Sequence, residues 1–198
     1  MSHNFLFDAS FHSLLMQIDE DLSKKMKKSK CTKCKGRLHR SPYPRNPHGV
    51  PAKFREQYGQ RLSHCCADCR KRSTPPSVRF FGRRWFVAPV FMLICALKNG
   101  ANKRRAEQIY RHFGVRVSAS TWKRWQYWWR YYFEKTKYWN LHKGLLAIPI
   151  ENNKSIPREL LSKIKWKSSK KIVLKVSEKI VLLLRFLSPL TSGFFRGT

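Results

Sequence analysis

Two Cys-x-x-Cys pairs, Cys31-Thr-Lys-Cys34 and Cys66-Ala-Asp-Cys69, constrain this chain more than any other feature. A two-residue gap lets both sulfurs of a pair turn toward one ion, and four thiolates so arranged close a tetrahedral zinc site. The predicted ligands are Cys31, Cys34, Cys66 and Cys69. The predicted ion is structural Zn2+, because four protein ligands leave no open position for water or substrate. Between the pairs lie 31 residues (35–65), more than the roughly 15–20 usual for such sites, so the insertion has to loop out. It is rich in proline and glycine, which predicts extended loop at least as far as Lys53. Cys65 adjoins Cys66 and either could bind; Cys66 completes the two-residue gap to Cys69. His39 and His64 are further donors that could substitute, though both read more simply as surface or phosphate-contacting histidines. Cys95 sits in the apolar run Phe91-Met-Leu-Ile-Cys-Ala-Leu97 and reads as a small core residue.

Charge says what such a module would serve. Lys and Arg number 42 against 11 Asp and Glu, a formal net charge of +31 on 198 residues, and so large an excess of one sign implies a polyanionic partner. Nucleic acid fits best, with double-stranded DNA the first expectation and an RNA-binding or ribosome-associated zinc-ribbon protein the alternative. No stretch approaches the ~20 apolar residues of a spanning helix, so no membrane is expected. The N-terminal residues carry no basic segment or cleavage site of a signal peptide, and Asp19, Glu20 and Asp21 follow closely; a cytoplasmic protein is expected. In a reducing compartment this cysteine spacing favours metal over disulfides.

The expected fold is mainly α, in four parts: an N-terminal amphipathic helix (1–30), a small zinc ribbon with short β-strands (31–82), a three-helix, helix-turn-helix-like unit (83–139) and a basic C-terminal region with one apolar helix (140–198). Phe11, Leu14, Leu15, Ile18 and Leu22 recur at helical spacing over 8–26, with Asp8 or Ser10 as N-cap and lysines at the far end. After Ser73-Thr-Pro-Pro76, the run Val78-Arg-Phe-Phe81 predicts a short strand. Helices are predicted over 83–98, over 102–113 and over 118–138, the last capped by Ser118 or Ser120, with Asn99-Gly100 and Gly114-Val115 as punctuators. Trp122, Trp125, Trp128, Trp129 and Tyr132 form a core stripe on the third helix, directed at the first; Tyr127 and Tyr131 lie off it. A final apolar helix over 176–187 ends before Pro189, and the tail beyond it is expected to be loose.

Helix, short glycine-containing turn and second helix are the ingredients of a helix-turn-helix, whose second helix enters the major groove by its N-terminal residues. Ser120, Thr121, Lys123, Arg124 and Gln126 are the candidate base readers. Lys103, Arg104 and Arg105 begin the preceding helix and would position phosphate. Arg70, Lys71, Arg72, Arg79, Arg83 and Arg84, on and after the ribbon, are the candidate phosphate contacts.

The order of features resembles the N-terminal DNA-binding portion of bacterial insertion-sequence transposases, carried here by Cys66-Ala-Asp-Cys-Arg-Lys-Arg-Ser73 and then residues 83–132. The stretches Phe11-His-Ser-Leu-Leu15, Gly36-Arg-Leu-His-Arg-Ser-Pro-Tyr-Pro-Arg45 and Thr74-Pro-Pro-Ser-Val-Arg-Phe-Phe-Gly-Arg83 look like a family of small bacterial transposase-like proteins, over roughly residues 8–140. The resemblance implies an accessory or regulatory protein of a mobile element, with a second copy of the chain or a transposition complex as its protein partner. Transposases of this kind follow the ribbon with a metal-dependent catalytic domain. Here only Glu151, Glu159 and Glu178 are acidic beyond residue 140, so a catalytic fragment is the least expected reading and no enzymatic activity is predicted.

Overall fold

The computed structural model describes residues 4–81, 87–96, 102–145, 156–163 and 176–192. It is mainly helical, with an N-terminal helix, a small antiparallel sheet that holds the four cysteines, and helices thereafter. The chain divides into two compact units, one formed by residues 1–88 with 184–198 and the other by residues 89–183.

Helix α1 (Ala9–Lys28) starts as its sequence dictates, with the Asp8 carboxylate accepting from the Ser10 amide at 2.9 Å. Phe11, Leu15 and Ile18 are buried, as the spacing predicts. The buried face is rotated from the expected one, however: Leu14 is 44% exposed, and the polar residues His12, Asp19 and Ser23 are buried instead. Each of these three finds a partner far along the chain. His12 Nε2 donates to the Leu6 carbonyl at 2.8 Å, which leaves Nδ1 to accept from the Tyr58 hydroxyl at 2.7 Å. Ser23 meets His64 Nε2 at 2.9 Å. Asp19 accepts from the Val78 amide (2.7 Å), the Ser77 hydroxyl (2.6 Å) and Arg79 Nε (2.8 Å). Thus α1 is held in the first unit by a stripe of satisfied polar groups as well as by its apolar residues.

Strands β1 (Leu38–Arg40), β4 (His64–Cys66) and β5 (Arg72–Ser73) form one antiparallel sheet in the order β1-β4-β5, and β2 (Tyr43–Pro44) pairs with β3 (Gln60–Arg61). Between β2 and β3 the loop turns helical at Ala52–Tyr58, burying Phe54 and Tyr58. The strand expected at Val78-Arg-Phe-Phe81 is absent; Phe80 makes one isolated bridge with Val87. The amides of Val78, Arg79 and Phe80 are taken by the Asp19 carboxylate and the Ser77 hydroxyl, so they are not free to join a ladder.

Arg79 is the largest correction. Expected at the surface on phosphate, it is 1% exposed and pairs with Asp19, also 1% exposed. Its guanidinium also donates to the Gln57 and Gln60 carbonyls and lies 5.0 Å from the centre of the Phe80 ring. A side chain so enclosed cannot reach a nucleic acid.

In the second unit, α2 (Ala88–Cys95) places Phe91 edge-on to Trp125 at 4.8 Å; the remainder of the helix expected over 83–98, and the Asn99-Gly100 punctuator, lie outside the described residues. Helix α3 (Lys103–Phe113) ends at Gly114, which adopts φ +63 and returns its amide to the Tyr110 carbonyl at 2.8 Å. Ser118 caps α4 (Ala119–Tyr127), accepting from the Thr121 amide at 3.2 Å. The single helix expected over 118–138 is not continuous. It passes through a π-turn at Trp128–Tyr132 and a 3-10 turn at Phe133–Lys135, then breaks at Thr136, which caps α5 (Lys137–His142) by accepting from the Trp139 amide. Trp122, Trp129 and Phe133 are buried, whereas Tyr132, expected in the core stripe, is 54% exposed. Cys95 is buried as expected, and burial pushes its pKa up.

Helices α6 (Ile156–Lys163) and α7 (Val176–Leu187) follow, the second with the predicted bounds. The segment after α7 is not loose up to Ser192: Thr191 and Ser192 are buried, and the Thr191 hydroxyl accepts from the Ser77 amide at 2.7 Å, inside the first unit. No helix among the described residues is long and apolar enough to cross a membrane.

Burial of His12 gives the first unit a pH dependence. Desolvation lowers its pKa, against opposing contributions from the Leu6 carbonyl and Asp8. An imidazole whose folded pKa lies below its unfolded value of about 6.5 binds its proton more readily when unfolded. The associated stability is therefore complete above pH ~6.5 and is lost as pH falls toward the folded pKa, with a slope of at most about 1.4 kcal/mol per pH unit for one proton. Desolvation lowers the pKa of His64 in the same unit as well, so urea titrations between pH 7.5 and 5 should show a slope that His12→Asn reduces and His12→Asn with His64→Asn reduces further.

Candidate metal centre

The ribbon builds its cysteine cluster from two backbone turns of the same design. The Cys31 amide donates to the Gly36 carbonyl at 3.0 Å and the Cys66 amide to the Lys71 carbonyl at 3.0 Å, each closing a loop over its own Cys-x-x-Cys. The residue after each second cysteine takes a left-handed conformation, Lys35 at φ 62 and Arg70 at φ 58. Such a turn usually falls to glycine, because other side chains are disfavoured there by about 1–2 kcal/mol. Strand pairing then brings the knuckles together: Leu38 stands opposite Cys66 in β1 and β4, and the Ala67 amide donates to the Arg37 carbonyl at 2.9 Å.

The result joins all four predicted ligands. Cys31 Sγ lies 3.6 Å from Cys69 Sγ, Cys34 Sγ lies 3.4 Å from Cys66 Sγ, and the four sulfurs are within 4.8 Å of one another. A tetrahedron with Zn–S bonds of ~2.3 Å has edges of about 3.8 Å, so the donor set and its dimensions fit a structural metal. Cys65 is excluded by strand alternation: it points to the opposite face from Cys66 and donates to the Arg70 carbonyl at 3.3 Å. His64 is occupied by Ser23, and His39 sits exposed in β1, outside the cluster.

Electrostatics within the cluster are those of a cation site. Backbone N–H groups of Cys34 and Lys33 pull the Cys31 thiol down to about 6. The Gly36 amide favours the Cys34 thiolate too, but the thiols of Cys66 and Cys69 beside it outweigh that and hold Cys34 up at about 12. Four thiolates at these distances repel one another unless a cation lies among them, so metal binding expels protons.

Gly36 is required for a different reason from Lys35. A Cβ there would stand 2.9 Å from Cys66 Sγ and would collide with the Asp68 carboxylate. Gly36→Ala should therefore displace a ligand sulfur and lower metal affinity by roughly 10- to 100-fold, the range for disturbing groups that orient ligands. Competition against a chromophoric chelator measures it.

The expected nucleic-acid contacts are distributed as follows. Arg70 and Lys71 are exposed on the second knuckle. Arg72 is exposed, yet its guanidinium is engaged by the Ser41 carbonyl (2.6 Å) and the Ser63 hydroxyl (2.6 Å) and lies over the Tyr43 ring. Lys103 and Arg104 are exposed at the start of α3; the Arg105 side chain, Arg83 and Arg84 lie outside the described residues. On α4, Ser120, Lys123 and Arg124 are exposed, and Thr121 and Gln126 are half-buried. Thr121 Oγ1 accepts from the Ser118 hydroxyl at 2.9 Å and from Arg124 at 3.2 Å.

One basic surface was not anticipated. A concavity of about 590 Å³ opens where α1 ends and the ribbon begins, with Leu38 at its floor. Its walls carry Lys24, Lys27 and Lys28 from α1, Lys30 from the connection, and Lys35 and Arg37 from the first knuckle. The lysines of α1 are legible in sequence as helix-terminal cations; only the fold places them against Lys35 and Arg37.

Comparison with protein-family models, with curated proteins and with solved structures finds no match for this chain.

Proposed function

We propose that this is a non-catalytic DNA-binding protein, in which structural zinc fixes the ribbon and α3 with α4 act as a helix-turn-helix, serving a mobile element as an accessory or regulatory factor. The observation that carries the reading is the start of α4. Beyond the left-handed Gly114 and the Ser118 cap, Ser120, Lys123 and Arg124 stand exposed in its first two turns, where a recognition helix presents its base-reading groups. The charge of +31 supports a polyanionic partner. Four thiolates of suitable dimensions support zinc over harder ions.

One observation favours a second reading, single-stranded RNA. Tyr127, Tyr131 and Tyr132 are 54%, 47% and 54% exposed, and the Tyr127 ring lies 4.6 Å from that of Tyr131. Exposed aromatic faces among cations are platforms for unpaired bases.

Selection from sheared genomic DNA and total RNA at near-physiological salt decides between them, because bare affinity of so basic a chain carries no information. Enrichment of one duplex motif supports the DNA reading; retention of RNA without a duplex motif replaces it. On a selected duplex, Arg124→Ala should reduce discrimination by about 1–3 kcal/mol, whereas Lys71→Ala should weaken all duplexes alike. Equal effects of both on every sequence would remove the groove-reading role. Lys71 serves better than Arg72 here, since Arg72 also holds Ser41 and Ser63 in place.

A further inference from the structure

We propose that the concavity between the end of α1 and the first knuckle is a cradle for the phosphodiester backbone of a nucleic acid, a contact separate from α4; the choice of occupant rests on the nucleic-acid reading above.

Three features carry the assignment. First, six cationic side chains line one hollow, and none of the described residues lining it is acidic. Like charges gathered around a concavity repel, and the low-dielectric walls focus their field, so the hollow favours a polyanion that neutralises several at once. Two acidic groups lie near it: Asp21, which pairs with Lys24 at 3.6 Å between two exposed groups, and Asp68, whose carboxylate lies against Gly36; the six cations outnumber them.

Second, these cations are not needed to finish the helix. Ser29 already serves two of the terminal carbonyls, its amide donating to Lys25 and Met26 and its hydroxyl to Met26 at 2.7 Å. Third, the helix end and the knuckle turn fix the backbone of two of these cations. Lys30 (φ 61) and Lys35 (φ 62) both hold left-handed conformations that glycine would adopt without cost, and both line the hollow. Lys35 takes that conformation as part of the knuckle turn, as Arg70 does in the other knuckle, and Lys30 as the residue after the helix cap, so both side chains start from a defined backbone beside the hollow.

Shape separates nucleic acid from an anionic membrane. A flat bilayer surface meets only the lysine tips around a hollow of about 590 Å³, whereas a phosphate chain can lie along it and neutralise more of the cations at once. The large exposed apolar residues of this unit, Phe7 and Leu14, are toward the other end of α1 and do not line the hollow.

The test uses the full-length, zinc-loaded protein with Lys24→Gln, Lys28→Gln and Lys35→Asn combined, asparagine being tolerant of the left-handed conformation. A charge-matched control replaces the exposed Lys135, Lys137 and Lys143 by glutamine. Affinity for a duplex is measured against salt. Loss of two or three phosphate contacts lowers the slope of log K against log salt by about 2–3, in the first variant and not in the control, with zinc content unchanged in both. Equal slopes for variant and control overturn the proposal. Binding of phosphatidylserine vesicles that the first variant alone abolishes would also overturn it, in favour of a membrane.

A separate titration with inorganic tripolyphosphate, followed by amide chemical shifts, reads the hollow without reference to nucleic acid. Shifts confined to residues 24–37 support an anion site there; their absence overturns it even if DNA binds through α4. Those shifts together with no binding of DNA or RNA would remove the nucleic-acid occupant and the proposed function with it.

Discussion

Asp19→Ala is expected to destabilise the first unit by about 3–5 kcal/mol, the range for removing one partner of a buried ion pair. The loss has little to do with the attraction between the charges. Arg79 would remain cationic at 1% exposure, while the Ser77 hydroxyl and the Val78 amide would lose their acceptor. Asp19 also fixes the conformation of residues 77–80, so hydrogen exchange at Val78, Arg79 and Phe80 should accelerate before the rest of the unit unfolds. Denaturation in urea gives the energy and exchange gives the location. Asp19→Leu combined with Arg79→Met should recover much of the loss, because buried pairs are often replaceable by apolar residues of similar volume. A loss below about 1 kcal/mol for Asp19→Ala would mean that water reaches the pair.

Removing the metal should have the larger effect on the ribbon itself. Its small core consists of Cys31, Leu38 and Cys66, with Met26 and Cys69 packed against them. Three of these five side chains are ligands, so little apolar surface is left to hold β1, β4 and β5 once the metal has gone. Structural zinc in small domains supplies about 10–16 kcal/mol of apparent binding free energy, which is then folding energy. Chelation, or Cys66→Ser, should unfold the ribbon and abolish binding of one equivalent of zinc. Cys65→Ser should leave both intact, since Cys65 faces away from the cluster. Undiminished zinc and an unchanged melting curve in Cys66→Ser would refute the site.

What could be foreseen from sequence was what depends on near neighbours. The Cys-x-x-Cys spacing specifies two turns locally, and choosing Cys66 over Cys65 needed only that spacing. Gly114 and Ser118 delimit α3 and α4 through their own backbone and side-chain chemistry, and α7 is marked by the apolar run from Ile180 to Leu187, interrupted at Arg185, and by Pro189 beyond it. Other features depend on residues remote in the chain. Arg79 looked like another surface cation because its partner lies 60 positions away. The rotation of α1 toward His12, Asp19 and Ser23 could not be inferred from apolar periodicity, which counts only apolar residues. Thr136 is an exception: a cap signal was present within 118–138, and the aromatic stripe running through it concealed the break.

The hydrogen bond from the Ser77 amide to Thr191 spans 114 positions and joins the two chain segments of the first unit, between which the second lies in sequence. Closing a flexible loop of that length costs about 4 kcal/mol in chain entropy. During synthesis, residues 89–183 leave the ribosome before 184–192 can join residues 1–88, and domains generally fold as they emerge. If the inserted unit folds first, it shortens the free chain to be closed and lowers that cost. The order of folding is then the reverse of the order in which the two units begin in the sequence, and a substitution that slows the second unit should delay completion of the first.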